Sequence, residues 1–333
     1  MPSVFDTQPP RFSEQEAVDI VYSNFGIRST VIELYSDRDQ NFLVQANSKS
    51  KFILKISNPS EQRSVVSMQT SAVEYVIGQG THINVPEQIG SIGQIVKGTS
   101  SYFFRLLKYL EGEFLKDKTI QVHDYQKIGQ FLGNLSNALV GFEHPGAVRE
   151  FAWDVRSAHL IKERLRFLES DKQKDIVNYF LNEFNSIIIP GLDEMRLAVI
   201  HNDGNDHNIL VDDHGMTTAI IDFGDMVYTF QVLEPAICMA YSALGKDDPI
   251  PIMSNILKGY HTCFPLNDTE LRSVFYLSCL RLCITVTMAS WRKKIYPENK
   301  YLTISEELSW TFLKSIYHGD ISKFSRRLIK DVK

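Results

Sequence analysis

Residues 199–225 read VIHNDGNDHNILVDDHGMTTAIIDFGD, with Asp203, Asn208 and Asp222 at intervals of 5 and 14 residues. Two carboxylates and an amide oxygen are hard donors. Mg²⁺ takes one or two carboxylates and leaves the rest of its shell to water and phosphate. The same residue types serve phosphoryl transfer: one Asp accepts or orients a hydroxyl proton, while an Asn and a second Asp hold metal beside nucleotide phosphates. Clusters of Asp, Asn, Gly and His also make ordinary turns. The layout argues for more than a turn. Segments 209–211 and 217–222 read as two strands of one hairpin turning at DDHG, which brings both polar clusters to the same end. Asp222-Phe223-Gly224 is a second match to a signature with that chemistry. Upstream, Lys55 lies inside FILKI. A strand lysine there reaches nucleotide phosphates. An edge-strand lysine that guards against aggregation is the plain alternative.

These residues need elements to position them. Ser13 and Glu16 have capping-box spacing, and Ala17, Val18, Ile20 and Val21 supply the apolar face of a first helix. VIELYS, NFLVQA and KFILKIS, separated by DRDQ and NSKS, read as three antiparallel strands. Val65, Met68, Ala72, Val73 and Val76 predict a second helix, and VPEQIG, GQIVKG and SYFFRLLKYL predict two or three more strands. The result is a small α+β lobe over 1–110. From 111 to 333 the texture is mostly helical. Val122, Tyr125, Ile128, Phe131, Leu132, Leu135 and Leu139 recur every three or four residues, 154–169 and 173–187 look helical, and so does everything from about Phe230 onward. Only the 209–222 hairpin reads as strand in this half. The linker is expected near 110–116, and without a flexible Pro/Ser tract the lobes should touch directly.

Composition narrows the function classes. The chain has 333 residues, 44% hydrophobic and 23% charged, which excludes a disordered chain or a coiled-coil rod. A net charge of −5 offers no basic excess for a nucleic-acid backbone or an anionic membrane. The N-terminus lacks a signal-peptide pattern. The apolar stretch 274–291 is interrupted by Arg281, which predicts a buried helix rather than a membrane span. Four cysteines without a Cys-x-x-Cys pair favour a reducing, cytoplasmic setting. His82, His144 and His261 have no zinc-ligand spacing.

His201-Asn202-Asp203 through Asn208, then Asp222-Phe223-Gly224, resembles the aminoglycoside phosphotransferase and choline kinase superfamily. SDRDQNF (36–42), RLLKYLEG (105–112), NDHNIL (205–210), IIDFGDMVY (220–228) and YPENK (296–300) resemble its hydroxylysine kinase branch, over about residues 12–318. The resemblance implies a protein-kinase-like two-lobed fold and transfer of the γ-phosphoryl group of GTP or ATP to a hydroxyl. The acceptor implied is an amino acid or amino alcohol, with 5-hydroxylysine first. Homoserine, choline, ethanolamine or an aminoglycoside is the alternative, and an inactive nucleotide-binding scaffold the other class.

By the same resemblance Asp203 is the catalytic base, Asn208 and Asp222 bind Mg²⁺, and Lys55 contacts phosphates. Segment 107–110, with Lys108, Tyr109 and Leu110, is the hinge for the base. His201 holds the loop rather than acting as acid or base. Asn202 stands where many relatives have Gly, a position Asn tolerates. The turn SDRDQN carries no glycine. Glu61 and Glu74 are both available to pair with Lys55, while the family position for that glutamate falls on Ser67 or Gln69. For the acceptor, Arg281 is a candidate for a carboxylate, Trp153 and Tyr228 for an ammonium, and Asp225 for metal or substrate. A salt bridge for Arg281 and core packing for the aromatics are the plain alternatives. The partners expected are thus a nucleotide and a small-molecule substrate.

Overall fold

Ser13 Oγ accepts the Glu16 amide at 3.2 Å while the Glu16 carboxylate accepts the Ser13 amide at 2.7 Å, closing the expected capping box. Helix α1 (Glu14–Phe25) follows. The computed structural model describes residues 3–47, 50–298, 303–330 and 332. Parts of the NSKS turn and of the YPENK segment lie outside the described residues.

The predicted three-stranded run is present as β1 (Thr30–Leu34), β2 (Gln40–Gln45) and β3 (Lys51–Ile56), followed by helix α2 (Arg63–Gly78). After it come β4 (Gln88–Lys97) and β5 (Ser100–Lys108), two strands rather than three. VPEQIG and GQIVKG merge because the irregularity between Ile89 and Gly93 is absorbed inside one strand. A glycine is required there: a Cβ on Gly93 would lie 2.1 Å from the Phe104 ring. The sheet order is β1-β2-β3-β5-β4, antiparallel throughout. Alternation along β2 and β3 sends Phe42, Val44, Leu54 and Ile56 against Ala17, Ile20 and Val21 of α1. The apolar stripe of α2 joins the larger core of the second lobe instead, so α2 bridges the two.

After Lys108 the chain crosses over and forms β6 (Glu113–Phe114). Helices α3 (Tyr125–Ala138), α4 (His159–Arg164) and α5 (Asp171–Glu183) fill the expected helical spans, with a π-turn at Phe184–Ile188. Then come β7 (Leu197–Ile200), β8 (Ile209–Val211), β9 (Thr217–Ile220) and β10 (Val227–Phe230). The sequence reading found only the β8-β9 hairpin. It missed β6, and it missed the antiparallel pair β7-β10. Four-residue runs without polar alternation carry no period that separates a strand from a buried helix turn. That pair matters for the site: β7 runs straight into His201, and β10 leaves just after Asp225.

The remainder is helical: α6 (Leu233–Ser242), α7 (Ile250–Cys263), α8 (Asp268–Ile295), α9 (Glu306–Tyr317) and α10 (Ile321–Lys330). Helix α8 is long and apolar enough to cross a bilayer, yet its apolar window is wholly buried inside the lobe. It packs against α4, α5, α6, α9 and α10. Cys279 and Cys283 sit in its buried face.

Candidate active site

Strand β7 delivers the loop 201–208, and the β8-β9 hairpin delivers Asp222. His201 is fully buried. Its Nε2 donates to the Ile221 carbonyl at 3.0 Å and its Nδ1 accepts the Asp203 amide at 3.3 Å. Those partners require the neutral Nε2–H tautomer. Burial lowers its pKa to about 4, which keeps it neutral. The imidazole thus ties the loop to the chain entering Asp222. Asn202 adopts φ 63°, the left-handed conformation that Asn tolerates. Asp222 also has a positive φ, 59°, the same left-handed conformation, which Asp tolerates as Asn does. From α6, Glu234 Oε2 accepts the His201 amide at 2.8 Å. Burial, opposed by the His201 and Asn202 amides, raises the Glu234 pKa to about 7.

Asp203 is fixed from three sides. Its Oδ2 accepts Asn208 Nδ2 at 2.6 Å, and its Oδ1 accepts Asn205 Nδ2 at 2.8 Å and Arg281 Nη2 at 3.1 Å. Burial, reinforced by the charge of Asp225 and opposed by Arg281, pushes its pKa well above the ordinary carboxylate value. Asp222 goes the other way. Burial would raise it, but Lys55, Arg38 and the Gly224 amide hold it well below.

Both lobes meet here through charge. Lys55 Nζ lies 2.7 Å from Asp222 Oδ1 and 3.3 Å from Asp39 Oδ2. Arg38 Nη2 lies 2.5 Å from Asp225 Oδ1, and Arg292 Nη1 lies 2.7 Å from Asp37 Oδ2. Burial of Lys55 is outweighed by Asp222 and Asp39, which keep its pKa above the ordinary value. These groups surround a cavity of about 180 Å³ between the lobes.

Of the residues singled out in the sequence, Lys55, Asp203, Asn208, Asp222, Asp225, Trp153 and Arg281 line this one cavity. Tyr228 does not. It points outward from β10 between buried Val227 and Thr229, with its ring exposed, and its carbonyl accepts Arg156 Nη1 at 3.0 Å. The sequence offered Glu61 or Glu74 to pair with Lys55, and neither does. Glu74 is exposed. Glu61 is buried, and its pKa is raised by burial against the pull of Arg38 and Arg149. The helix position facing the sheet holds Gln69, which accepts Arg105 Nη2 at 2.6 Å. Asp39, from the β1-β2 turn, pairs with Lys55 instead. Arg281 is committed to the Asp203 carboxylate and the Trp153 carbonyl, the protein-internal alternative. Its guanidinium also stacks over the Trp153 ring at 4.8 Å.

Lys108, Tyr109 and Leu110 lie outside the cavity walls. The Lys108 amide donates to Glu87 O at 2.7 Å and the Tyr109 amide to Lys51 O at 3.4 Å. Sequence reasoning did not single out Arg38, Asp37, Asp39 or Arg292. The density of charge in SDRD was the available signal for the first three. Arg292 lies in the basic run WRKK at the end of α8, which carries no signal of its own.

No group of three His, Cys, Asp or Glu able to hold a metal exists among the described residues. The donor set still fits Mg²⁺. Asn208 Nδ2 is spent on Asp203, which leaves its Oδ1 for another partner. Asp222 uses Oδ1 for Lys55 and the Gly224 amide. One carboxylate and one amide oxygen suit a cation that keeps water and phosphate in its shell.

A family model described as a phosphotransferase enzyme family matches residues 30–272. Hydroxylysine kinase of Mus musculus is 30% identical, the match covering 92% of this chain and 90% of that protein. Hydroxylysine kinase of Danio rerio is 27% identical, with coverage of 96% and 95%. Among solved structures, an amicoumacin kinase in complex with AMP-PNP, Ca²⁺ and its ligand superposes with a TM-score of 0.65. It is 16% identical, and the match covers 95% of this chain and 93% of that one. A GDP complex of aminoglycoside 2'-phosphotransferase-IIIa gives a TM-score of 0.60 at 14% identity, covering 91% and 99%. At such identities the likeness shows the fold: an antiparallel-sheet lobe on a mostly helical one, in the kinase-like arrangement.

Proposed function

The chain belongs to the phosphotransferase enzyme family and acts on a hydroxyl acceptor, and from that premise we propose that it phosphorylates 5-hydroxylysine with GTP or ATP as donor. One observation carries the chemistry: Lys55 from the sheet lobe and Asp203, Asn208 and Asp222 from the helical lobe line a single cavity. The acceptor rests on the four relatives, all named hydroxylysine kinase at 26–30% identity.

In this reading Asp203 accepts the hydroxyl proton as the oxygen attacks. Asn205, Asn208 and Arg281 hold its carboxylate in place for proton acceptance. Lys55 binds phosphate oxygens. Asn208 Oδ1 and Asp222 would hold Mg²⁺, which neutralises phosphate charge when bound. With the Lys108 and Tyr109 amides already used, the base docks on the hinge carbonyls and the Leu110 amide. Most of the rate enhancement then comes from positioning and fixed charge.

Coupled release of ADP and GDP over a panel of acceptors tests the proposal. The panel is 5-hydroxylysine, homoserine, ethanolamine, choline and kanamycin, with lysine as the control lacking the hydroxyl. The expected outcome is the highest kcat/KM for 5-hydroxylysine and none for lysine. A higher value for any other acceptor replaces the assignment.

A further inference from the structure

The turn between β1 and β2 covers the cavity without a glycine, so a close approach of its backbone to phosphate is sterically restricted. Its side chains reach instead. Arg38 is 8% exposed and extends from the turn to the floor of the opposite lobe, where Nη2 meets Asp225. Its guanidinium lies 5.5 Å from the ring centres of both Phe5 and Phe151, and its carbonyl accepts Asn58 Nδ2 at 3.2 Å. Backbone and side chain are therefore both anchored.

The head group sits where phosphate chemistry is expected. A Cβ added to Gly224 would lie 2.9 Å from Arg38 Nη2, 3.0 Å from Asp222 Oδ1 and 3.7 Å from Lys55 Nζ. The guanidinium and the ammonium thus share one end of the cavity with the Asp222 carboxylate. The other arginines nearby are engaged elsewhere. Arg281 serves Asp203 and Trp153 O, Arg292 serves Asp37, and Arg149 donates to the Gly224 and Met226 carbonyls, 2.9 Å each. Arg38 makes its ion pair through Nη2. A guanidinium offers five N–H donors in a planar fork matched to phosphate.

We propose that Arg38 is a phosphate-binding residue of this site. It pairs with Asp225 in the free protein and exchanges that carboxylate for the terminal phosphate oxygens of the nucleotide. It stands beside Lys55 and supplies by side chain what a glycine-rich turn supplies by backbone amides. The inference rests on the phosphotransferase reading and not on which acceptor is used.

The test is calorimetric titration of the full chain, with and without Mg²⁺, in the adenine and guanine series. The ligands are the nucleoside, the mono- and diphosphates and a non-hydrolysable triphosphate. Arg38→Gln is expected to weaken the triphosphate by about tenfold or more, the loss of one charge-assisted pair, while nucleoside and monophosphate affinities stay the same. Arg38→Lys keeps the charge but loses the fork, and is expected to weaken the triphosphate by a smaller factor. It also serves if Arg38→Gln does not fold in a thermal melt. Unchanged triphosphate affinity in either folded variant, or an equal loss across the whole series, overturns the proposal by leaving Arg38 a lobe-to-lobe tether. No acceptor is present, so an error in the acceptor does not affect the result. A wild-type chain that binds no triphosphate would overturn both the donor reading and the role of Arg38.

Discussion

Asp203 accepts from two amide side chains and one guanidinium, so its carboxylate has little freedom. Asp203→Asn keeps the shape and removes the proton acceptor. We expect kcat to fall by about 10²–10⁴, with nucleotide affinity measured by calorimetry preserved. Turnover near the wild-type rate would refute the role of base. Asp222→Ala removes a different function. Its carboxylate faces Lys55 across the cleft, and its loss should weaken Mg²⁺-nucleotide binding itself. Equal affinity of wild type and variant would count against Asp222 as a metal ligand.

Helices α3 and α7 cross where each carries a glycine. A Cβ on Gly129 would lie 1.9 Å from the Ile256 carbonyl oxygen, and one on Gly259 would lie 1.9 Å from the Gln126 carbonyl oxygen. The backbones touch, so Gly259→Ala must push the helices apart. The expected cost is about 1–3 kcal/mol or more, read as a lower urea midpoint with unchanged slope. A midpoint within error of wild type would mean that the crossing relaxes freely. The capping box of α1, the β8-β9 hairpin and the periodic α3 were legible because each is encoded within a few neighbouring residues. The β7-β10 pair was not, because each short strand is defined by a partner 27 residues away: Val227 lies opposite Ile200.

Across the whole molecule, the buried neutral His201 links the fold to pH. Its folded pKa of about 4 lies below the ordinary value of 6.5 because burial disfavours the charged ring. A depressed base contributes its stability in full above pH 6.5 and loses it as pH falls toward 4. The amount is roughly 3 kcal/mol. His201→Gln loses the ring's packing at every pH but, having no titrating group there, escapes the acid loss. The stability gap between variant and wild type should therefore narrow by that amount between pH 7.5 and pH 4 in urea titrations. A constant gap would show that His201 does not titrate in the unfolding reaction.

Read alone, the sequence determined the kind of chemistry and where it sits in the chain. Asp203, Asn208 and Asp222 fall on one hairpin and its flanking loop, and local geometry is set by short-range spacing. Tertiary structure decided which charge meets which. Arg38 finds Asp225 187 residues away, Arg292 finds Asp37 255 residues away, and Lys55 takes Asp39 instead of a helix glutamate. It also took Tyr228 out of the site and committed Arg281 to Asp203. Buried charges must find partners in three dimensions, and those pairings depend on how two lobes close on each other, which no local pattern encodes.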